Sequence, residues 1–280
     1  MTDEYRIIPT LSPRMELKNI IRDLRKIVAA EDLEKTRALV DMLLEDEELR
    51  AMMNATNIIV VSYLKYNDHG WSHAVITMRN ALKILTIIKD ILPPNIVKYN
   101  LGSFDDAAFV TALAAFLHDV GNMIHRESHW EHSLWLTRDM IWNIINRFYE
   151  NEDKRKKWLL FAHIANAIYS HDEKVQAFTI EASAVKVGDG CDMAAGRSRK
   201  PYNIGKVDIH SVSALSITDV EMSRGIKKPL RITVNMTSPA GIFQVEDVLL
   251  PKIKTSMLEG EIEIETLING KRLKLSKSPL

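Results

Sequence analysis

The stretch Ala114-Ala115-Phe116-Leu117-His118-Asp119-Val120-Gly121-Asn122 decides how the rest of the chain is read. A run of small and apolar residues ends in an adjacent His118-Asp119 pair, and Gly121 follows as a helix stop. Upstream, Ser103 stands three residues before Asp106, and Phe109, Leu113, Phe116 and Leu117 recur at helical intervals. The pattern predicts a buried helix over Phe104–Leu117. An imidazole and a carboxylate buried at such a helix end are costly unless each is paired or binds a metal. A His-Asp dipeptide is common by chance, so its meaning depends on further ligands on either side.

Working outward toward the N-terminus, HGWSHAVITMRNALKILTII places Val75, Met78, Leu82 and Leu85 on one helix face, and Pro93-Pro94 ends the element. His69 and His73 are four residues apart and share a face if the helix begins by Asp68; they suit a ligand pair or ordinary histidines. Residues 57–66, NIIVVSYLKY, are β-branched, yet they lead straight into this segment and are read as buried helix. Leu17, Ile20, Ile21, Leu24 and Ile27 form an apolar stripe, and Leu39, Met42, Leu43 and Leu49 another, so residues 12–56 are predicted helical. No heptad repeat is sustained long enough for a coiled coil.

Toward the C-terminus, His125, His129 and His132 fall at i, i+4 and i+7 and project from one side if their segment is helical. Trp135, Met140, Ile144 and Phe148 are expected to carry its packing. After a charged stretch, residues 158–170 read as a helix ending at His171, with His163 as a hydrogen-bonded core histidine. Residues 178–195 form another helix-like run carrying Asp189 and Asp192, three apart, with glycines flanking Asp189. Arg197, Arg199 and Lys200 follow in GRSRKPY, a basic turn suited to phosphate or, more plainly, to solvent.

From Tyr202 onward the period changes to two. Residues 212–222 and 229–236 read as strands, 243–257 as an amphipathic helix kinked or restarted at Pro251, and 261–265 as a strand. Asn269-Gly270 then makes a two-residue hairpin turn into 271–275. The expected architecture is mainly α, with N-terminal helices over 1–56, a ligand-bearing helical domain over 57–203, and a small α+β unit of β-β-α-β-β order over 204–280. His210 is the sole histidine of that unit, so it is expected to hold no metal ligand.

Composition narrows the partners. Basic and acidic residues number 37 each, which excludes a general nucleic-acid or membrane-surface binder. The single Cys191 allows no intramolecular disulfide and suits a reducing cytoplasm. The longest apolar run, 107–117, falls far short of the ~20 residues of a membrane helix. MTDEYRIIPT lacks the features of a signal peptide.

A histidine, a His-Asp pair at a helix end and a distant aspartate, in helices, resemble the HD-domain metal-dependent phosphohydrolases, with an all-helical core. The matching residues are His73 in HGWSHAVITMRNA, His118 and Asp119 in AFLHDVGN, and Asp189 in KVGDGCDM, within residues 57–200. The tail unit and GRSRKPY resemble uncharacterised archaeal HD proteins. The resemblance implies two divalent ions per chain: Asp119 bridging both, His73, His118 and Asp189 holding one, His129 and His171 the other. Imidazole and carboxylate suit Mn, Fe, Ni, Co or Zn better than Mg. Asn122 stands where a lysine often follows H-D-x-G, and a G-Y-P signature is missing, so a cyclic dinucleotide is a poor substrate candidate.

The expected activity is hydrolysis of a small phosphate ester by metal-activated water, with Arg197, Arg199 and Lys200 on the phosphate and His69 protonating the leaving alkoxide. Asp192 and Glu173 are candidate acceptors for the ligand histidines. The rival readings are a di-iron oxygenase with the same six ligands and a regulatory ligand-binding module whose β unit mediates assembly into a homo-oligomer.

Overall fold

A computed structural model describes residues 13–64, 66–194 and 209–273. Its centre is α6 (Phe104–Leu117), where every residue from Asp106 onward is buried. A helix apolar on all sides has no solvent face and must be wrapped by others. The wrapping comes from α2 (Glu34–Glu45), α4 (Trp71–Ile88), α8 (Lys154–Tyr169), α9 (Ile180–Gly190) and the short α5 (Asn95–Lys98). Ser103 and Asp106 form a reciprocal capping box at the start of α6, as their spacing predicts. Asp106 also accepts from the Tyr149 hydroxyl at 2.8 Å and Lys156 Nζ at 2.8 Å, which anchors the start of α6 to Tyr149 and to the first turn of α8.

The N-terminal helices pack on this core: α1 (Pro13–Ala30) on α4, and α2 on α6. The amides of Lys35 and Thr36 at the start of α2 both donate to the Asp105 carboxylate. α3 (Glu47–Asn57), capped by Asp46, widens into a π turn over Ile58–Tyr63. Residues 57–63 are therefore helical as expected, but only half buried: Val60 and Val61 face inward, whereas Ile58, Tyr63 and the following Leu64 are exposed. A helix at the molecular edge has one inner face, however β-branched its sequence.

α7 (His129–Phe148) completes the helical layer. Its packing runs through Ile141, Ile144 and Ile145, whereas Trp135 is 72% exposed and does not carry it. Trp135 turns outward and the smaller Ser133 and Thr137 are buried instead, with Ser133 Oγ donating to the His118 carbonyl at 2.6 Å.

The C-terminal unit begins with α10 (Ile209–Leu215), so the expected strand over 212–222 starts only at Ile217. β1 (Ile217–Arg224), β2 (Leu230–Met236), β3 (Ile262–Ile268) and β4 (Lys271–Leu273) form one sheet in that order. β2 alternates cleanly, burying Leu230, Ile232, Val234 and Met236. β2 and β3 are parallel and need a crossover. It is supplied by α11 (Ile242–Gln244), a π turn (Val245–Leu249) and α12 (Leu250–Lys254). The run restarts beside Pro251, as expected: it widens into the π turn over Val245–Leu249 and returns to α geometry at Leu250, with Pro251, which has no N–H to give the preceding turn, in the first turn of α12. Asn269 and Gly270 adopt positive φ of 48° and 78° in the β3–β4 turn. The unit packs on the helical core through β1 and β2 on α4 and α12 on α9.

Candidate metal centre

Four helix ends converge beneath α6. His118 follows the last turn of α6, His73 lies in the first turn of α4, His129 opens α7, and His171 follows α8. All four rings are buried, with Asp119 at the end of α6 and Asp189 near the end of α9. Each imidazole donates through Nδ1 outward to an acceptor: His118 to Ala115 O at 2.8 Å, His129 to Arg126 O at 3.0 Å, His171 to Ile168 O at 2.6 Å, and His73 to Asp192 Oδ2 at 2.6 Å. With the proton fixed at Nδ1, each neutral ring presents a bare Nε2 lone pair inward.

Those lone pairs meet in two pairs. His73 Nε2 lies 3.2 Å from His118 Nε2, and His129 Nε2 lies 3.0 Å from His171 Nε2. Asp119 stands between them. Its Oδ2 is 3.3 Å from His73 Nε2, and its Oδ1 is 3.3 Å from His129 Nε2. Asp189 Oδ1 closes the first pair at 3.3 Å from His73 Nε2 and 3.7 Å from His118 Nε2. Two bare nitrogens at this range repel each other, and a hydrogen bond cannot join them. Ligand atoms held about 2.0–2.2 Å from one small ion stand about 3.0–3.4 Å apart, the separation seen here. The donor set therefore fits divalent cations.

Electrostatics agree with that fit. Burial works against ionisation of Asp119, yet His69 and His118 hold its carboxyl well below the usual carboxylate range. Burial likewise opposes ionisation of Asp189, and Lys252 with His118 and His73 outweighs it. Desolvation lowers His129 to about 4, despite Asp119 beside it, and holds His171 well below its ordinary value. At neutral pH the cage therefore holds two carboxylates beside the neutral His129 and His171 rings, the protonation states that suit metal ligands.

Among the three candidates in the 125–132 segment, only His129 enters the cage. Ser128 adopts a left-handed φ of 55°, so the helix starts at His129, which leaves His125 exposed before it and His132 turned toward Trp135. α4 likewise begins at Trp71, not by Asp68, because Asp68 binds the Gly70 amide in an extended entry. His69 thus precedes the helix it was expected to share with His73, yet its Nδ1 touches Asp119 Oδ2. Asp192 supports His73 as expected; Glu173 is exposed and supports nothing in the cage. His163 stays outside it, half-buried, with Nδ1 on Leu159 O at 2.9 Å. Arg197, Arg199 and Lys200, with the 203/204 boundary, lie outside the described residues.

Three participants were not among the expected site residues, although Asn122 stands out as a departure from the family pattern. Asn122 donates to Asp119 Oδ1 at 2.7 Å and accepts from Arg126 at 3.0 Å. Arg126, its side chain 36% exposed, places Nη1 3.9 Å from Asp119 Oδ1. Lys252 of α12 donates to Asp189 Oδ2 at 2.7 Å.

No family model matches the chain, and no solved structure does. The uncharacterised protein MJ1020 of Methanocaldococcus jannaschii is 41% identical over 229 residues, 81% of this chain and 87% of that one. This chain belongs to the same family as MJ1020.

Proposed function

We propose that the chain is a metal-dependent phosphohydrolase of the HD-domain type, acting in the cytoplasm on a small phosphate ester. The observation that carries this reading is Asp119 between two pairs of inward-facing imidazoles, with each carboxylate oxygen facing one pair. His73, His118 and Asp189 would hold one divalent ion, His129 and His171 the other, and Asp119 both. Such ions lower the pKa of bound water from 15.7 to roughly 7 and neutralise phosphoryl charge.

The chain's own residues supply the remaining parts. Asn122 fixes the Asp119 carboxylate in the orientation that faces both pairs. Arg126 is a half-exposed cation at the edge of the cage, with a guanidinium fork that matches phosphate oxygens. His69 is in contact with Asp119 and is positioned to hold a proton for the leaving alkoxide. In the reaction, hydroxide forms a new P–O bond, the ester P–O bond breaks, and that proton neutralises the departing alkoxide. Among the described residues no helix is long and apolar enough to cross a membrane.

The test is a screen of phosphomonoesters, nucleotides and cyclic nucleotides with Mn, Ni, Co, Fe or Mg, run beside an oxygen-consumption assay on anaerobically purified, iron-loaded protein. Release of phosphate or ring opening that depends on the added ion supports hydrolysis. Metal-loaded protein that hydrolyses none of them, or that consumes oxygen instead, refutes the reading.

A further inference from the structure

Lys252 is where the C-terminal unit reaches the cage. Its side chain is 10% exposed, and Nζ donates to Asp189 Oδ2 at 2.7 Å and to the His171 carbonyl at 2.9 Å. The aliphatic stem lies against Gly190: a Cβ there would stand 3.1 Å from Lys252 Cδ and 3.2 Å from Leu249 Cδ1. The glycine after Asp189 thus admits α12 close enough for the ammonium to arrive.

The two oxygens of Asp189 have separate partners. Oδ1 faces His73 and His118, and Oδ2 faces Lys252. A carboxylate with one oxygen held cannot rotate to offer both, and its ligand oxygen is set before an ion arrives. We propose that Lys252 is a positioning residue for the metal centre, so that the site is complete only when the C-terminal unit is docked. This rests on reading the cage as a metal centre, and it assigns the β unit a part in building that centre.

The rival account is a buried ion pair that only holds two units together. Manganese binding to full-length apoprotein, followed by titration calorimetry, separates the two when melting temperature is recorded alongside. Lys252→Met keeps the stem and removes the charge; it is expected to weaken binding of one ion about 10- to 100-fold. Lys252→Arg should recover most of that loss. Ile253→Ala, beside Lys252 on α12, lowers the melting temperature but leaves the ammonium in place, and should keep wild-type affinity. Lys252→Met that binds Mn(II) as tightly as the wild type overturns the proposal. So does Ile253→Ala that loses as much affinity as Lys252→Met.

A second measurement needs no variant. If docking and metal binding are coupled, Mn(II) must slow amide exchange in Leu250–Lys254 of the wild-type chain. Unchanged exchange there overturns the proposal even if Lys252→Met does not fold. A wild-type chain that binds no Mn(II) removes the metal reading itself. One that binds Mn(II) but hydrolyses no phosphate ester removes only the phosphohydrolase.

Discussion

Gly121→Ala should destabilise the protein and, if the cage binds two ions as proposed, empty half of it. Gly121 is not in a left-handed conformation, so only space is at stake. The added carbon would lie 2.0 Å from the His129 carbonyl oxygen, 2.4 Å from Ser133 N and 2.8 Å from His132 Cβ. The first two are backbone atoms, so no rotamer change relieves the clash. The first turn of α7 must retreat by roughly an ångström, since packed interiors leave no slack. That retreat stretches the 2.9 Å bond from the Gly121 amide to Ser133 Oγ beyond hydrogen-bond range.

Overpacking of this kind costs about 1–3 kcal/mol. The lost buried hydrogen bond adds about 1 kcal/mol. At about 2–4 °C per kcal/mol for a domain of this size, melting should fall by about 5–15 °C. His129 opens the displaced turn, so its Nε2 leaves the His171 partner, and metal content after reconstitution should drop toward one ion per chain. Calorimetric unfolding and elemental analysis read the two effects. Gly260→Ala is the control: its φ of 82° strains an alanine by about 1–2 kcal/mol, but nothing lies within 4 Å to collide with. A Gly121→Ala protein that melts with the wild type and holds its full metal content would refute this reasoning.

Asp119→Ala should abolish ion binding and ion-dependent hydrolysis with the helical circular dichroism retained; wild-type metal content in that variant would contradict the bridging role. Acid sensitivity should depend in part on Asp106. Burial opposes its ionisation, but Lys156, the Ser103 amide and Tyr149 outweigh it and lower its carboxyl below the ordinary value. A depressed carboxylate contributes stability that is complete above its unfolded pKa of about 4 and is lost as pH falls through the folded pKa. Asp106→Asn should therefore be less stable at pH 7 by about 3 kcal/mol, the low end for breaking a buried pair. Its stability should also fall less steeply than the wild type's below about pH 4. Denaturant titrations across pH 2–7 measure both, and parallel acid limbs would exclude the assignment.

Local elements were legible because their causes are local. The capping box at Ser103, the uninterrupted apolar run of α6 and the Asn269-Gly270 turn each act within a few residues, and each appears where its pattern lies. The alternation of β2 and β3 follows from side chains pointing to opposite faces, so the C-terminal sheet was readable too. Residue type alone offered many histidines and aspartates as ligands; the family resemblance singled out His73, His118, Asp119 and Asp189, and the His-Asp pair marked a helix end.

What brought them together is not local. His73 meets Asp192 across 119 positions, and Lys252 meets Asp189 across 63, distances at which no periodicity constrains a contact. Three histidines at i, i+4 and i+7 were equivalent on paper; the left-handed Ser128 separated them by starting α7 at His129. Trp135 matched the apolar pattern, but the packing of α7 on the turn after α6 and on α8 decided which face turned inward. Residues 212–215 alternate well enough for a strand, yet among the described residues no strand pairs with them, and they form the end of α10 instead. Sequence pattern determined most of the elements and offered the residues suited to ligand chemistry. Tertiary packing alone decided which of those side chains share a cage, because burial and charge pairing are properties of the surroundings and not of the segment.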